Sequence, residues 1–121
     1  MREKTLRTED LDCFTGTENY YQQGFGSAMS YTDGVKYVAE TGSAYWLIDE
    51  IALTNRFNEN VRAQPFQVWT LTVGKGETTR LTCEDGNGNE VYAKRIGFTD
   101  FPLPTITFWC VDNVILLPSE N

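Results

Sequence analysis

The second half of the sequence alternates between apolar and polar residues in several successive stretches. Glycine, asparagine, aspartate or proline separates one stretch from the next. A period of two is typical of β-strands that bury one face. The strands are predicted at residues 66–73, 78–84, 90–98, 105–111 and 114–117. Together they predict an antiparallel meander.

An earlier pair of strands is predicted on either side of Asp33-Gly34. An Asp-Gly dipeptide between apolar stretches is a strong signal for a two-residue hairpin turn, because both residues tolerate a positive φ angle. The expected strands are residues 28–32 and 35–40. Gly42 ends the second of them.

Residues Ser43–Phe57 predict the main helix, with Ser43 as its N-cap. On a helical wheel one apolar stripe suits packing on a sheet, and it consists of Ala44, Ile48, Ile51 and Ala52.

A second apolar group lies nearly opposite, and it consists of Trp46, Leu53 and Phe57, with Glu50 among them. A helix between a sheet and water needs only one apolar face. These four residues, Trp46, Glu50, Leu53 and Phe57, are therefore a candidate interaction surface. Its cover is expected to be either the N-terminal segment, with Leu11, Phe14, Tyr20 and Tyr21, or a second copy of the chain.

A short N-terminal helix is predicted between Thr8 and Gly16. Thr8 is a suitable N-cap, and Glu9 and Asp10 fall in the first turn, where the helix dipole favours negative charge. Residues 17–21 are expected to add another turn. The elements together predict an α+β fold in one domain of 121 residues. The sheet is expected to have five to seven antiparallel strands, with the main helix packed on one face.

The complete absence of histidine restricts the chemistry of this chain. It excludes Ser-His-Asp and Cys-His catalysis, as well as histidine-ligated metals. The three cysteines, Cys13, Cys83 and Cys110, form no CxxC pair, and each lies in an apolar context. They are expected to be reduced and mostly buried. No metal and no cofactor is expected.

The charge balance argues against nucleic acid as a partner. Ten basic and seventeen acidic residues give a net charge of −7, and the basic residues are scattered. Nucleic-acid binding needs clustered lysine and arginine. No stretch is long and apolar enough for a membrane span, and no signal peptide is visible. The expected location is the cytoplasm, and the expected partner is an unknown protein or a second copy.

The loop at residues 85–90 has the alternating oxygen ligands of a calcium site. The EF-hand pattern also requires glycine at its sixth position and glutamate at its twelfth, where this chain has Glu90 and Ile96. A hairpin turn is the better interpretation, since asparagine and glycine supply positive φ angles. The glycine-containing stretches at residues 24–26 and 74–76 do not match phosphate-binding loops.

Several stretches together resemble a known family. They are FTGTENYY at residues 14–21, YTDGVKYVAE at 31–40, AYWLIDEIA at 44–52, TDFPL at 99–103 and VILLPSE at 114–120. The chain resembles a family of small uncharacterised bacterial proteins, a domain of unknown function also met in phage and plasmid contexts. The resemblance implies no activity, cofactor or catalytic residue.

Three hypotheses for the function remain open. The leading one is a small non-catalytic binding or regulatory module. The second is an enzyme that uses carboxylates, which would need two inward-facing carboxylates in one cleft. The third is an acidic decoy for a nucleic-acid-binding protein, which would need carboxylates ordered on one face.

Overall fold

Seven strands and four α-helices make up most of the described chain. The structure is a computed structural model, and it describes residues 6–24, 29–75, 78–97 and 99–121. The helices are α1 (Thr8–Leu11), α2 (Asp33–Thr41), α3 (Tyr45–Phe57) and α4 (Glu59–Arg62), with a 3₁₀ helix at Pro118–Glu120. The strands are β1 (Tyr20–Gln22), β2 (Ser30–Thr32), β3 (Phe66–Thr72), β4 (Arg80–Glu84), β5 (Glu90–Arg95), β6 (Thr105–Val111) and β7 (Val114–Leu116).

The strands form one sheet in the order β1-β2-β7-β6-β3-β4-β5. Six strand pairs join them, and only the pair of β2 with β7 is parallel. The α+β class and the mostly antiparallel sheet predicted from the sequence are therefore confirmed. The consecutive strands β3, β4 and β5 form a meander. The chain then returns to the other side of β3, where β6 pairs along its whole length.

The predicted hairpin turn at Asp33-Gly34 is wrong, because these residues begin α2. Thr32 is the N-cap, and its hydroxyl accepts a hydrogen bond from the backbone N–H of Val35. Val35, Val38 and Ala39 are buried at the spacing of one helical face. An early antiparallel strand pair does exist, but β1 and β2 form it.

The core lies between the sheet and the two longer helices. From the sheet, Trp69, Leu71, Leu81 and Phe108 face the helices, and α3 contributes Leu47, Ile48 and Ile51. The predicted main helix is therefore present, although it begins at Tyr45 and not at Ser43. Ser43 has a φ of 53° and lies in the connection between α2 and α3.

The described part of the N-terminal segment, residues 6–22, does not cover the outer side of α3, which was one of the two covers expected from the sequence. The helix α1 is only one turn long, and residues 20–22 form β1 in place of a further turn. Phe14 contacts Tyr37 of α2, with 5.3 Å between ring centroids. Tyr21 stacks on Tyr31 of β2, and Tyr20 is 64% exposed.

The C-terminal end of the chain is anchored to the start of α2 by Glu120. The buried carboxylate of Glu120 accepts hydrogen bonds from the Thr32 hydroxyl at 2.6 Å and from the Gly34 backbone N–H at 3.0 Å. It also accepts one from the Leu117 backbone N–H at 2.9 Å. The negative charge therefore lies at the positive end of the helix dipole. This contact joins two of the stretches that carry the family resemblance, residues 31–40 and residues 114–120.

The three cysteines have two different environments. Cys83 and Cys110 are buried as expected, and burial raises the pKa of each thiol to about 12. Cys13 is exposed, because it follows the short α1 and does not enter the core. The described helices include none with the length and apolar character to cross a bilayer.

Candidate functional site: a cleft along α2

A cleft among the described residues runs along the solvent-facing side of α2. Its volume is about 530 Å³, within the usual range for ligand pockets. The helix lines it with five residues at helical spacing: Asp33, Lys36, Tyr37, Glu40 and Thr41. Phe14, Tyr21 and Ser43 complete the lining.

Asp33 brings the segment before β1 to one end of the cleft. Its carboxylate accepts hydrogen bonds from the backbone N–H groups of Glu18 at 3.0 Å and Asn19 at 3.3 Å. It also accepts one from the Tyr21 hydroxyl at 2.9 Å. The Glu18 N–H and then the Tyr21 hydroxyl are the main reasons why the pKa of Asp33 falls to about 2. Asp33 is therefore an ionised acceptor that holds structure together.

Tyr37 connects α2 to α1 and to Phe14 on another side of the cleft. Its hydroxyl donates to a carboxylate oxygen of Asp10 in α1 at 3.3 Å, and its ring contacts Phe14. Desolvation and the neighbouring Asp10 charge raise the pKa of the Tyr37 hydroxyl. The two tyrosines, Tyr21 and Tyr37, thus both contribute aromatic rings to the lining of the cleft.

A cation already lies in this cleft. The Lys36 ammonium is 2.6 Å from Oε1 of Glu40 and 5.0 Å from the centre of the Tyr21 ring. The hydrogen bond to Glu40 is the main reason why the pKa of Lys36 is raised. An aromatic face together with a carboxylate stabilises a positive charge by cation–π and Coulomb attraction. The geometry of the cleft therefore suits an ammonium or guanidinium group.

The charge of the chain is uneven around this site. Residues 1–50 contain nine acidic and four basic side chains, a net charge of −5. Residues 51–121 contain eight acidic and six basic side chains, a net charge of −2. The cleft belongs to the more negative part, which favours the approach of cations over that of anions.

The candidate surface expected on α3 does not line the cleft. Trp46 is half-buried against the core, while Leu53 and Phe57 are 39% and 75% exposed. Glu50 receives the Lys94 ammonium of β5, with N–O distances of 2.9 and 3.1 Å. The four residues share one side of α3, but Glu50 is bound within the chain.

A second, smaller cavity is lined by polar groups that already form hydrogen bonds within the chain. It has a volume of about 200 Å³ near Asn55, Gln67 and Asp112. The buried amides of Asn55 and Gln67 hydrogen-bond each other, and the Gln67 oxygen also accepts from the Trp69 indole N–H at 2.8 Å. These groups have little capacity left for a ligand.

The other sequence candidates have structural roles. The Asp85 carboxylate accepts from the backbone N–H groups of Asn87 and Asn89, and Gly88 has a φ of 85°. This arrangement closes the turn between β4 and β5. Within the described residues, no three cysteine, aspartate or glutamate side chains come together as metal ligands.

The cleft residues Lys36, Tyr37 and Glu40 were missed because their segment was predicted to be a strand. Two signals favoured a helix. Thr32 is a good N-cap three residues before Val35, and Val35, Val38 and Ala39 follow a helical spacing. The Asp33-Gly34 dipeptide instead favours a hairpin turn, and the strand prediction rests on it.

Residues 5–121 match the model of a protein family of unknown function, DUF6876. The chain belongs to this family. The match covers nearly all of the sequence and confirms the resemblance to a domain of unknown function. No curated protein and no solved structure matches the chain. The DUF6876 match assigns no reaction, ligand or partner, so the cleft geometry is the main guide to function.

Proposed function

We propose that this protein is a small non-catalytic binding module, and that the cleft along α2 binds a cationic side chain of a partner protein. The observation that carries the proposal is the position of the Lys36 ammonium between Glu40 and the Tyr21 ring. That ammonium marks a place where the cleft stabilises positive charge. A lysine or arginine of a partner would occupy the same place after Lys36 turns out to solvent.

The hydrogen bonds and the ion pair that the two cleft carboxylates form favour binding over acid–base catalysis. Asp33 accepts several hydrogen bonds that hold its pKa low, and Glu40 is paired with Lys36. The two residues are seven positions apart on α2, which corresponds to about 10 Å along the helix axis. A carboxylate enzyme and an acidic decoy remain alternative hypotheses. Neither has a specific contact in its favour.

The test is a titration of the ¹⁵N-labelled protein with acetyl-Gly-Arg-Gly-amide, followed by NMR. The expected result is a set of saturable shifts at the backbone amides of α2 and β1. Acetyl-Gly-Glu-Gly-amide is the anionic comparison and is expected to give no such shifts. Shifts with the anionic peptide alone, or no shifts along α2 with either peptide, would contradict the proposal.

Two variants sharpen this test. Lys36→Met removes the internal competitor, so the arginine peptide is expected to bind several-fold more tightly. Tyr21→Leu removes the aromatic face and is expected to weaken binding, while Tyr20→Leu alters the neighbouring tyrosine outside the cleft and serves as the control. Weaker binding in Lys36→Met would mean that Lys36 contacts an anionic group, and would overturn the cation assignment.

A further inference from the structure

One face of the sheet has no helix packed against it in the described part of the chain. The helices lie on the face that contains Trp69 and Phe108. On the opposite face, none of the side chains contributed by β3, β4 and β6 is buried. We call this surface the open face. It presents cross-strand pairs such as Val68 with Trp109 and Thr70 with Thr107.

The centre of the open face carries no charge. The residues that β3 and β6 place there are aromatic residues, valines and threonines only. An antiparallel sheet that faces water usually has polar and charged side chains on that side. A charge-free centre that contains aromatic residues is instead typical of the core of a protein interface.

The size of the open face suits a second copy of the chain. The neighbouring strands β7, β6, β3, β4 and β5 have three, seven, seven, five and six residues. A strand rises about 3.3 Å per residue, and neighbouring strands lie about 4.8 Å apart. The projected area is therefore roughly 450 Å² per copy. The accessible surface of the side chains on this face is larger than the projected area of the sheet. Two such faces in contact would therefore bury about 1,000 Å² or more in total, which reaches the lower range of specific protein–protein interfaces.

The charges at the β4–β5 side of the open face are arranged by sign. Arg80 lies opposite Arg95 at one end of this strand pair, and Glu84 lies opposite Glu90 at the other end. Like charges directly opposite each other are unfavourable in a sheet. Within the described residues, the one ion pair among these four is the Arg80–Glu90 contact at 4.0 Å. Among the described residues, Arg95 and Glu84 have no ion pair, so each end of this strand pair keeps one charge that the other described residues do not compensate.

A two-fold axis between two open faces, perpendicular to the strands, would supply that compensation. Such an axis keeps each strand over the same strand of the other copy and reverses its direction. The arginine pair of one copy then faces the glutamate pair of the other, and the reverse holds at the other end. We propose that the protein forms a symmetric dimer through the open face, with these two ends in contact. This proposal is independent of the cleft and its ligand.

The test exchanges the charges and measures mass by sedimentation equilibrium. The unaltered protein is expected to be a dimer. The variant Arg80→Glu/Arg95→Glu places glutamates against glutamates in a dimer, and Glu84→Arg/Glu90→Arg places arginines against arginines. Each is expected to be a folded monomer, with folding checked by circular dichroism. A mixture of the two variants restores opposite charges at both ends, so it is expected to form a mixed dimer.

The outcomes separate this surface from the others. An unaltered protein that is monomeric at high micromolar concentration would overturn the proposal. Variants that stay dimeric alone, or a mixture that stays monomeric, would overturn the predicted symmetry. Leu53→Glu on the outer side of α3 is the control and is expected to leave the dimer intact. If Leu53→Glu abolished the dimer, the interface would lie on α3 and not on the open face.

Discussion

The helices α2 and α3 are held to the molecule in different ways. The helix α2 is tied at its first turn by polar contacts that come from distant parts of the chain, above all from Glu120. The helix α3 has no side-chain cap at Ala44 and is held by the side chains that it buries, such as Ile48 and Ile51. Polar contacts fix α2 at one end, whereas apolar packing fixes α3 along its length.

This difference explains where each helix can carry function. The outer side of α2 lines the cleft, and its anchored first turn keeps that side in a fixed position. The outer side of α3 exposes Leu53 and Phe57 without a described cover. Substitutions at the anchor of α2 should therefore affect local order, while those in the α3 core should affect the whole fold.

The largest effect is expected from Ile51→Ala in α3. The side chain of Ile51 is fully buried, and its truncation leaves a cavity between the helix and the sheet. The expected loss is about 2–5 kcal/mol in the free energy of unfolding, measured by urea denaturation. Leu53→Ala on the outer side of the same helix is the control and should lose much less. Equal losses in both variants would show that packing does not distinguish the two sides of α3.

Removal of the α2 anchor by Glu120→Ala should have the next largest effect. It leaves the Gly34 and Leu117 N–H groups without an acceptor, at an expected cost of about 2–4 kcal/mol. Hydrogen exchange should accelerate at the first turn of α2 more than in α3. Ser119→Ala removes only an exposed hydrogen bond to the Leu11 carbonyl and is the control. Unchanged exchange at Gly34 and Val35 in Glu120→Ala would contradict the anchoring role.

A smaller loss is expected from Gly34→Ala. A Cβ atom at this position would lie 2.6 Å from Leu117 Cδ1 and 2.8 Å from Glu120 Oε1. The clash should push the C-terminal segment away and cost about 1–3 kcal/mol, measured by thermal or urea unfolding. Gly16→Ala is the control, because nothing lies within 4 Å of its added Cβ. A Gly34→Ala variant as stable as the control would mean that the close approach at α2 does not matter for stability.

The pH dependence of stability tests the second carboxylate at the start of α2. The pKa of Asp33 is about 2 in the folded protein and near 3.8 when unfolded. Its stabilising contribution is therefore present above about pH 4 and is lost as the pH falls towards 2. Asp33→Asn should melt at a lower temperature than the unaltered protein at pH 6, and the two melting temperatures should converge near pH 2. A difference that does not change with pH would contradict the assigned role of the Asp33 charge.

Periodicity was sufficient to predict α3 and the strands β3 to β7, because each repeats its pattern within a few residues. It could not predict the return of β6 to β3, since alternation specifies a buried face and not a neighbour. The helix α2 was missed for a different reason, because the Asp33-Gly34 dipeptide favours a hairpin turn although Thr32 and the spacing of Val35 and Val38 favour a helix. The contact that anchors the start of α2 comes from Glu120, 86 positions beyond Gly34, and no local pattern records it. The cleft depends on α1, β1 and α2 coming together, so it could not be predicted either.

The smallest effect is expected from Phe57→Ser at the end of α3. Phe57 is 75% exposed, and its described ring contact is with the neighbouring Arg56 guanidinium at 5.4 Å. Exposed side chains without a structural role usually change stability by no more than about 0.5 kcal/mol. Urea denaturation should therefore not distinguish the variant from the unaltered protein, and sedimentation should show the same oligomeric state. A loss as large as that of Ile51→Ala would mean that Phe57 is covered in solution, and that the outer side of α3 is an interface after all.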